Sequence, residues 1–447
     1  MTQISLQRLI LIFVAAAIIG LYIHAILYLP ITFSDQFHDI YVSMTISLRQ
    51  FLESVVGHTM FFRPGEHILR TLLIALFGST PFAYNYFQML FVIVAGIGAV
   101  SLIECRDWTD AGAGITALTF FFGHHAFVSV MEAHITLSNG LVLLIMMVSL
   151  WILQSRQTLT SQVLAIALST LAVLTKEVGL LVPFTLVAGT AFGFRGVGRW
   201  TAALLFLLMV SYVAFRLHTL PELETSSVEH LSNIIATPVM IITGEPFDGK
   251  WQEFLHRQFL PWRIIRIVLG LGTVLLILIA FFLRKTAAKA FPQSELVDGK
   301  WMLLILSIVA ASAAVAFEYT RHRMGAMALP VVFVLLHRSL RIVIWRLSTL
   351  NVRTPIMIAV VSLLTVFSLG WSTRVADGFF VIRYMGSKTM VDWIEHYQKY
   401  RQYEAAPKAL SLLDSFFWAA QEMPWPTVES DGPFIRHWLG DEDVMNR

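Results

Sequence analysis

The chain has 447 residues, of which 57% are hydrophobic and only 14% charged, with a formal net charge of +3 and a mean hydropathy of +0.70. Soluble domains carry roughly a quarter charged residues, so the composition excludes a soluble enzyme or binding module and points to a polytopic membrane protein. The small net charge offers no argument for nucleic acid, and one cysteine, Cys105, excludes an intrachain disulfide and a cysteine metal cluster.

In chain order, the first apolar run, 9–29, has the roughly 20-residue length needed to cross about 30 Å of hydrocarbon. It lacks a small-residue cleavage site and more apolar runs follow, so it reads as a retained helix and not as a signal peptide. Further spans are expected at about 82–103, 112–123, 136–153, 161–174, 178–194, 200–217, 263–283, 301–317, 324–337 and 355–373. The expected fold is all-α, with about eleven transmembrane helices.

Between the first two runs lies the most polar boundary segment of the chain, 31–81. Asp35 and Asp39, with His38 between them, stand where the chain leaves the bilayer. Ile40, Met44, Leu48, Phe51 and Val55 then recur at three- and four-residue steps, the apolar stripe of a helix lying in the interface plane, with Arg49 and Glu53 available to headgroups. Pro64-Gly65 breaks the chain, and an apolar helix restarts over 67–77. A loop of this build holds a lipid tail on its apolar face and presents carboxylates to water; the bland alternative is an amphipathic connector.

Basic residues fall on alternate connections: Arg8; Arg106; Arg156; Arg195 and Arg199; Arg284, Lys285 and Lys289; Arg338, Arg341, Arg346 and Arg353. Short basic loops mark the cytoplasmic face. The longer segments 31–81, 124–135, 218–262, 318–323 and 374–447 then lie outside, and they carry the carboxylates. The N-terminus is expected inside and the C-terminal tail outside. Residues 1–373 form the membrane module with its active-site loop 31–81. The tail 374–447, partly helical and carrying Trp393, Trp418, Trp425 and Trp438, is expected to pack on the outer loops.

The polar residues form an ordered set. The acids after the first span are followed by Arg63-Pro64, then Leu76-Phe77-Gly78 with Tyr84-Asn85, then Leu174-Thr175-Lys176-Glu177 with Pro183, and finally Arg321-His322-Arg323 before Ala328-Leu329-Pro330. This set resembles the GT-C glycosyltransferases that use polyprenyl-phosphate sugars, including the protein O-mannosyltransferase-like and aminoarabinose-transferase-like branches. The resemblance covers roughly residues 1–373 in order and spacing. It implies a glycosyltransferase that moves a sugar, with inversion, from a polyprenyl-phosphate donor to a lipid, glycan or protein hydroxyl on the non-cytoplasmic face; the composition and the short basic loops make that face the periplasmic side of a bacterial inner membrane.

Such a reaction needs a base for the acceptor hydroxyl and cations for the departing phosphate. Asp35, nearest the membrane exit, is the expected base. Asp39, one helical turn on, orients the acceptor or holds a cation. Arg321, Arg323, Lys176 and Arg63 are the expected phosphate-binding residues, since an arginine fork matches phosphate oxygens and an ionisable residue between apolar runs is expensive unless functional or paired. Glu177 beside Lys176, and Glu318 near Arg321, leave a purely structural pairing open. Glu132, His124 and His125 are candidate acceptor or auxiliary residues. No cofactor is required, although Asp35, His38 and Asp39 together offer an oxygen–nitrogen set for a divalent cation; the alternative is loop residues that solvate the acceptor sugar. A transporter or flippase of a lipid-linked sugar, a polyprenyl-diphosphate glycan polymerase or ligase, and a non-catalytic scaffold are the rival classes.

Overall fold

The computed structural model describes residues 5–27, 47–56, 63–77, 82–124, 126–127, 130, 136–219, 241, 268, 270–292, 295–315, 325–349, 356, 359–363 and 366. Every regular element among the described residues is helical. In chain order these are α1 (Leu6–Leu27), α2 (Leu48–Val56), α3 (Pro64–Phe77), α4 (Phe82–Leu102), α5 (Trp108–Gly123), α6 (Thr136–Gln154) and α7 (Leu159–Thr175). A 3-10 turn (Glu177–Leu180) leads into α8 (Leu181–Ala191), followed by α9 (Arg199–Thr219), α10 (Gly270–Ala287), α11 (Gly299–Val315) and α12 (Leu329–Ser348). Three stretches, Leu6–Leu27, Arg199–Arg216 and Gly270–Ala287, are long and apolar enough to cross a membrane, and the chain is a helical membrane protein.

The helices are apolar on more than one side, as membrane helices must be. On α1, Leu11, Ile18 and Tyr22 are buried while Leu9, Phe13 and Leu27 face outward. α1 packs on α4 and α5, α4 on α6, and α6 on α7 and α8; α8 meets α9 and α11, and α5 meets α12. Rings of Tyr22, Phe91, Phe121, Phe122, Phe127 and Phe333 interlock at the centre. The Tyr22 hydroxyl donates to the Phe122 carbonyl at 2.5 Å, so its burial leaves no orphaned donor.

Local chemistry sets the helix ends. Asp107 caps α5 by accepting from the Asp110 N–H at 2.8 Å, and Thr158 and Ser161 cap α7 reciprocally. Ser47 and Gln50 do the same for α2, which buries Phe51 and Val55 against α3 and leaves Arg49 and Glu53 exposed.

Three boundaries differ from the sequence expectation. The helix expected over 67–77 begins at Pro64, because proline at the first helical position arrives with its φ preset and gives up no bond. The span expected at 263–283, described from Gly270 onward, continues to Ala287 and takes in Arg284 and Lys285, which the sequence places in a loop. The span expected at 324–337 is a helix from Leu329 to Ser348 that takes in Arg338, Arg341 and Arg346. Arg341 forms an ion pair with Asp110 and donates to Glu295 at 3.2 Å. Glu295 also accepts from Arg106 at 2.6 Å, and Arg338 donates to Gln154 at 2.6 Å while its guanidinium lies 4.6 Å from the Trp301 ring centre. Partners on other helices thus let the cations stay helical. Of the expected span 355–373, residues 356, 359–363 and 366 are described and are helical; the tail 374–447 lies outside the described residues.

Candidate functional site

Four elements converge at the end of the bundle where α7 finishes. Lys176 follows the last residue of α7 in extended backbone, φ −162° and ψ 157°. The chain then folds back through the 3-10 turn, which is closed by a bond from the Gly179 N–H to the Lys176 carbonyl at 2.8 Å. A Cβ on Gly179 would lie 1.9 Å from the Ala172 carbonyl oxygen, so this turn requires glycine. The start of α3 presses on the same corner. A Cβ on Gly65 would meet the Leu174 backbone and the Thr175 hydroxyl at 3.0 Å. The close approach places Arg63 and Glu66 beside Glu177 and Lys176.

Arg63 grips Glu177 with two parallel bonds, Nε to Oε1 at 2.8 Å and Nη2 to Oε2 at 2.9 Å. That is the fork geometry in which guanidinium and carboxylate fit best. Arg216, near the end of α9, reaches the same carboxylate at 2.7 Å. On α3, Glu66 accepts from Arg70 one turn on at 2.7 Å and stands 3.8 Å from Arg63. The Ser138 hydroxyl at the start of α6 donates to Glu66 as well.

Lys176 and Glu66 are each only 3% exposed. Burial alone would raise the Glu66 carboxyl, but Arg70, Lys176 and Arg63 outweigh it and hold the group below its ordinary range. Glu177 is likewise pushed up by burial and pulled down further by Arg63 and Arg216, to about 2. Both carboxylates are therefore ionised throughout the physiological range. Arg63, Arg70, Lys176 and Arg216 then set four positive charges against two negative ones among the described residues. A charged cluster removed from water is costly unless it is balanced.

Of the residues singled out in the sequence, Arg63 and Lys176 come together here, around Glu66 and Glu177. Glu177 does more than neutralise its neighbour Lys176, because its oxygens bind guanidiniums from two other elements. His124 ends α5 and is 4% exposed. Its Nδ1 accepts from the Ala126 N–H at 3.1 Å, which leaves Nε2 to donate to the Ile241 carbonyl at 3.2 Å. Asp35, His38, Asp39, His125, Glu132, Arg321 and Arg323 lie outside the described residues. Among the described residues no three His, Cys, Asp or Glu side chains form a metal-binding group.

Glu66, Arg70, Ser138 and Arg216 had no role in the sequence reading. The four-residue spacing of Glu66 and Arg70 is a local signal for a helical ion pair. Arg216 gave a fainter one, as a cation inside an apolar stretch, while Ser138 is placed only by the tertiary fold. No family model, curated protein or solved structure matches this chain, so the reading of the site rests on its own geometry.

Proposed function

We propose that the chain is a GT-C-type glycosyltransferase with about eleven membrane spans and its N-terminus in the bacterial cytoplasm. It moves a sugar from a polyprenyl phosphate to an acceptor hydroxyl on the periplasmic side, with inversion. The observation that supports this most is the gathering of Arg63, Arg70, Lys176 and Arg216 around Glu66 and Glu177 at one end of the bundle. On α3, Ile68, Leu72 and Leu76 are exposed at four-residue intervals, an apolar track beside the cations on which a polyprenyl chain can lie.

In the reaction the acceptor oxygen bonds to the anomeric carbon and gives its proton to Asp35. The bond from that carbon to the phosphate oxygen breaks, and its electron pair leaves with the polyprenyl phosphate. Negative charge grows on the phosphate as it departs, so fixed cations stabilise the transition state more than the ground state. Arg63 and Arg216, both held on Glu177, supply delocalised positive charge and Lys176 a point charge. Arg321 and Arg323 provide further phosphate contacts, and Asp39 orients the acceptor or binds a divalent ion.

The test is transfer by the purified chain from a panel of polyprenyl-phosphate sugars, with donor binding measured separately. Lys176→Met should lower turnover by about 10²-fold. Asp35→Asn should lower it by about 10²–10⁴-fold while donor binding survives. Wild-type kinetics in both variants would remove the site. Movement of the donor across vesicles with no transfer to any acceptor would favour the flippase reading.

A further inference from the structure

A second polar site lies at the opposite end of α6. Ser138 marks the end of α6 at the cluster just described, and Gln154 marks the other, about 24 Å away at 1.5 Å per residue. There a cavity of about 200 Å³ opens between α4, α6 and α12. Its polar lining is divided by origin. Glu104 and Glu295 come from connecting segments, whereas His337, Arg338 and Arg341 come from α12. Since α12 runs towards this end, His337 and Arg338 lie about one turn deeper in the bundle than Arg341. His337 is 2% exposed and its Nε2 has no hydrogen-bond partner among the described residues. Arg338 is held in place by the Trp301 ring and by Gln154.

We infer that this cavity binds the headgroup of a phospholipid carrying both a phosphate and a primary ammonium, the phosphatidylethanolamine class. The order of charge with depth matches such a lipid. Its phosphate lies nearer the acyl chains, level with His337 and Arg338, and its ammonium lies further out, towards Glu104 and Glu295, which together with Asp110 set three carboxylates against the two guanidiniums of Arg106 and Arg341 that pair with them. The volume equals that of about seven waters and suits the roughly eight heavy atoms of the headgroup. Leu90, Val94 and Ile97 are exposed along α4 and lead to Ser101 at the cavity rim. Across from them Val148 and Trp151 are exposed on α6. These two faces give the acyl chains a continuous apolar surface. Basic pockets between helices on the cytoplasmic side are a known mode of headgroup recognition; the carboxylates here add selection for the ammonium.

The experiment is native mass spectrometry of the full chain in detergent, titrated in parallel with phosphatidylethanolamine, phosphatidylglycerol and free phosphoethanolamine. Phosphatidylethanolamine should bind at least about tenfold more tightly than either of the others. Equal or tighter binding of phosphatidylglycerol would overturn the selection for ammonium, and equal binding of free phosphoethanolamine would overturn the lipid. Arg338→Gln should weaken binding about tenfold. Because that side chain also braces helices, Ser101→Trp is the companion variant: it fills the mouth from an exposed position and should abolish retention while melting in lipid-free detergent stays unchanged. Wild-type retention in both variants would place the lipid elsewhere and defeat the inference.

Discussion

Arg63 and Arg216 meet on Glu177 from residues on either side of it in sequence, and the carboxylate is what makes two guanidiniums tolerable so close together. Its folded pKa, about 2, lies below the ordinary 4.5. The pairing therefore contributes its full stability above about pH 4.5, and that contribution is lost as the pH falls from there through 2. Between pH 5 and 8 Glu66 and Glu177 both stay ionised. Glu177→Gln removes one partner of a nearly buried pair, since Glu177 and Arg216 side chains are 17% and 13% exposed. The expected cost is about 3 kcal/mol, the low end for a broken buried pair because some solvent still reaches the carboxylate. Thermal melting of the purified variant at pH 7 should show it, and the gap to the wild type should narrow only below about pH 4.5. An unchanged melting temperature at pH 7 would mean that the fork carries no stability.

The corner between α7 and α8 depends on backbone contact, and backbone cannot move aside as a side chain can. Gly179→Ala would put a methyl 1.9 Å from the Ala172 carbonyl oxygen, so the turn must shift and carry Lys176 and Glu177 with it. Overpacking of this kind costs about 1–3 kcal/mol. A lower melting temperature accompanied by weaker donor binding is the expected result. Gly20→Ala is the control, because nothing lies within 4 Å of the added methyl on the outward face of α1; it should be neutral or slightly stabilising. Equal effects from the two substitutions would show that the corner is not tight. Helices such as α1, α4, α6 and α7 were legible to within a few residues because their apolar runs are unbroken. The end of α12 was not, because Arg338 and Arg341 look like loop residues until Gln154, Asp110 and Glu295 are brought to them. The site divides in the same way. Arg63 and Lys176 stand out as cations at apolar boundaries, but their assembly with Glu177 and Arg216 spans more of the chain than any local pattern can report.

At the scale of the whole molecule, the expected orientation follows the basic residues. Reporter fusions after Arg156, Arg199 and Arg353 should read cytoplasmic, and fusions after His230 and Arg383 should read periplasmic. A cytoplasmic reading after His230 would turn the molecule over and put the cationic cluster on the wrong side for a periplasmic acceptor. The long reach of the cluster also sets an order of events during synthesis. Glu66 and Arg70 can pair as soon as α3 forms, but Arg63 must wait for Glu177, 114 residues later. Arg216 follows only after α8 and most of α9 have been made. At roughly 5–20 residues per second the interval from Arg63 to Arg216 is about 8–30 s. Throughout it a half-built charge cluster stands at the membrane edge, in a nascent chain that is most exposed to chaperones and proteases before α9 is in place.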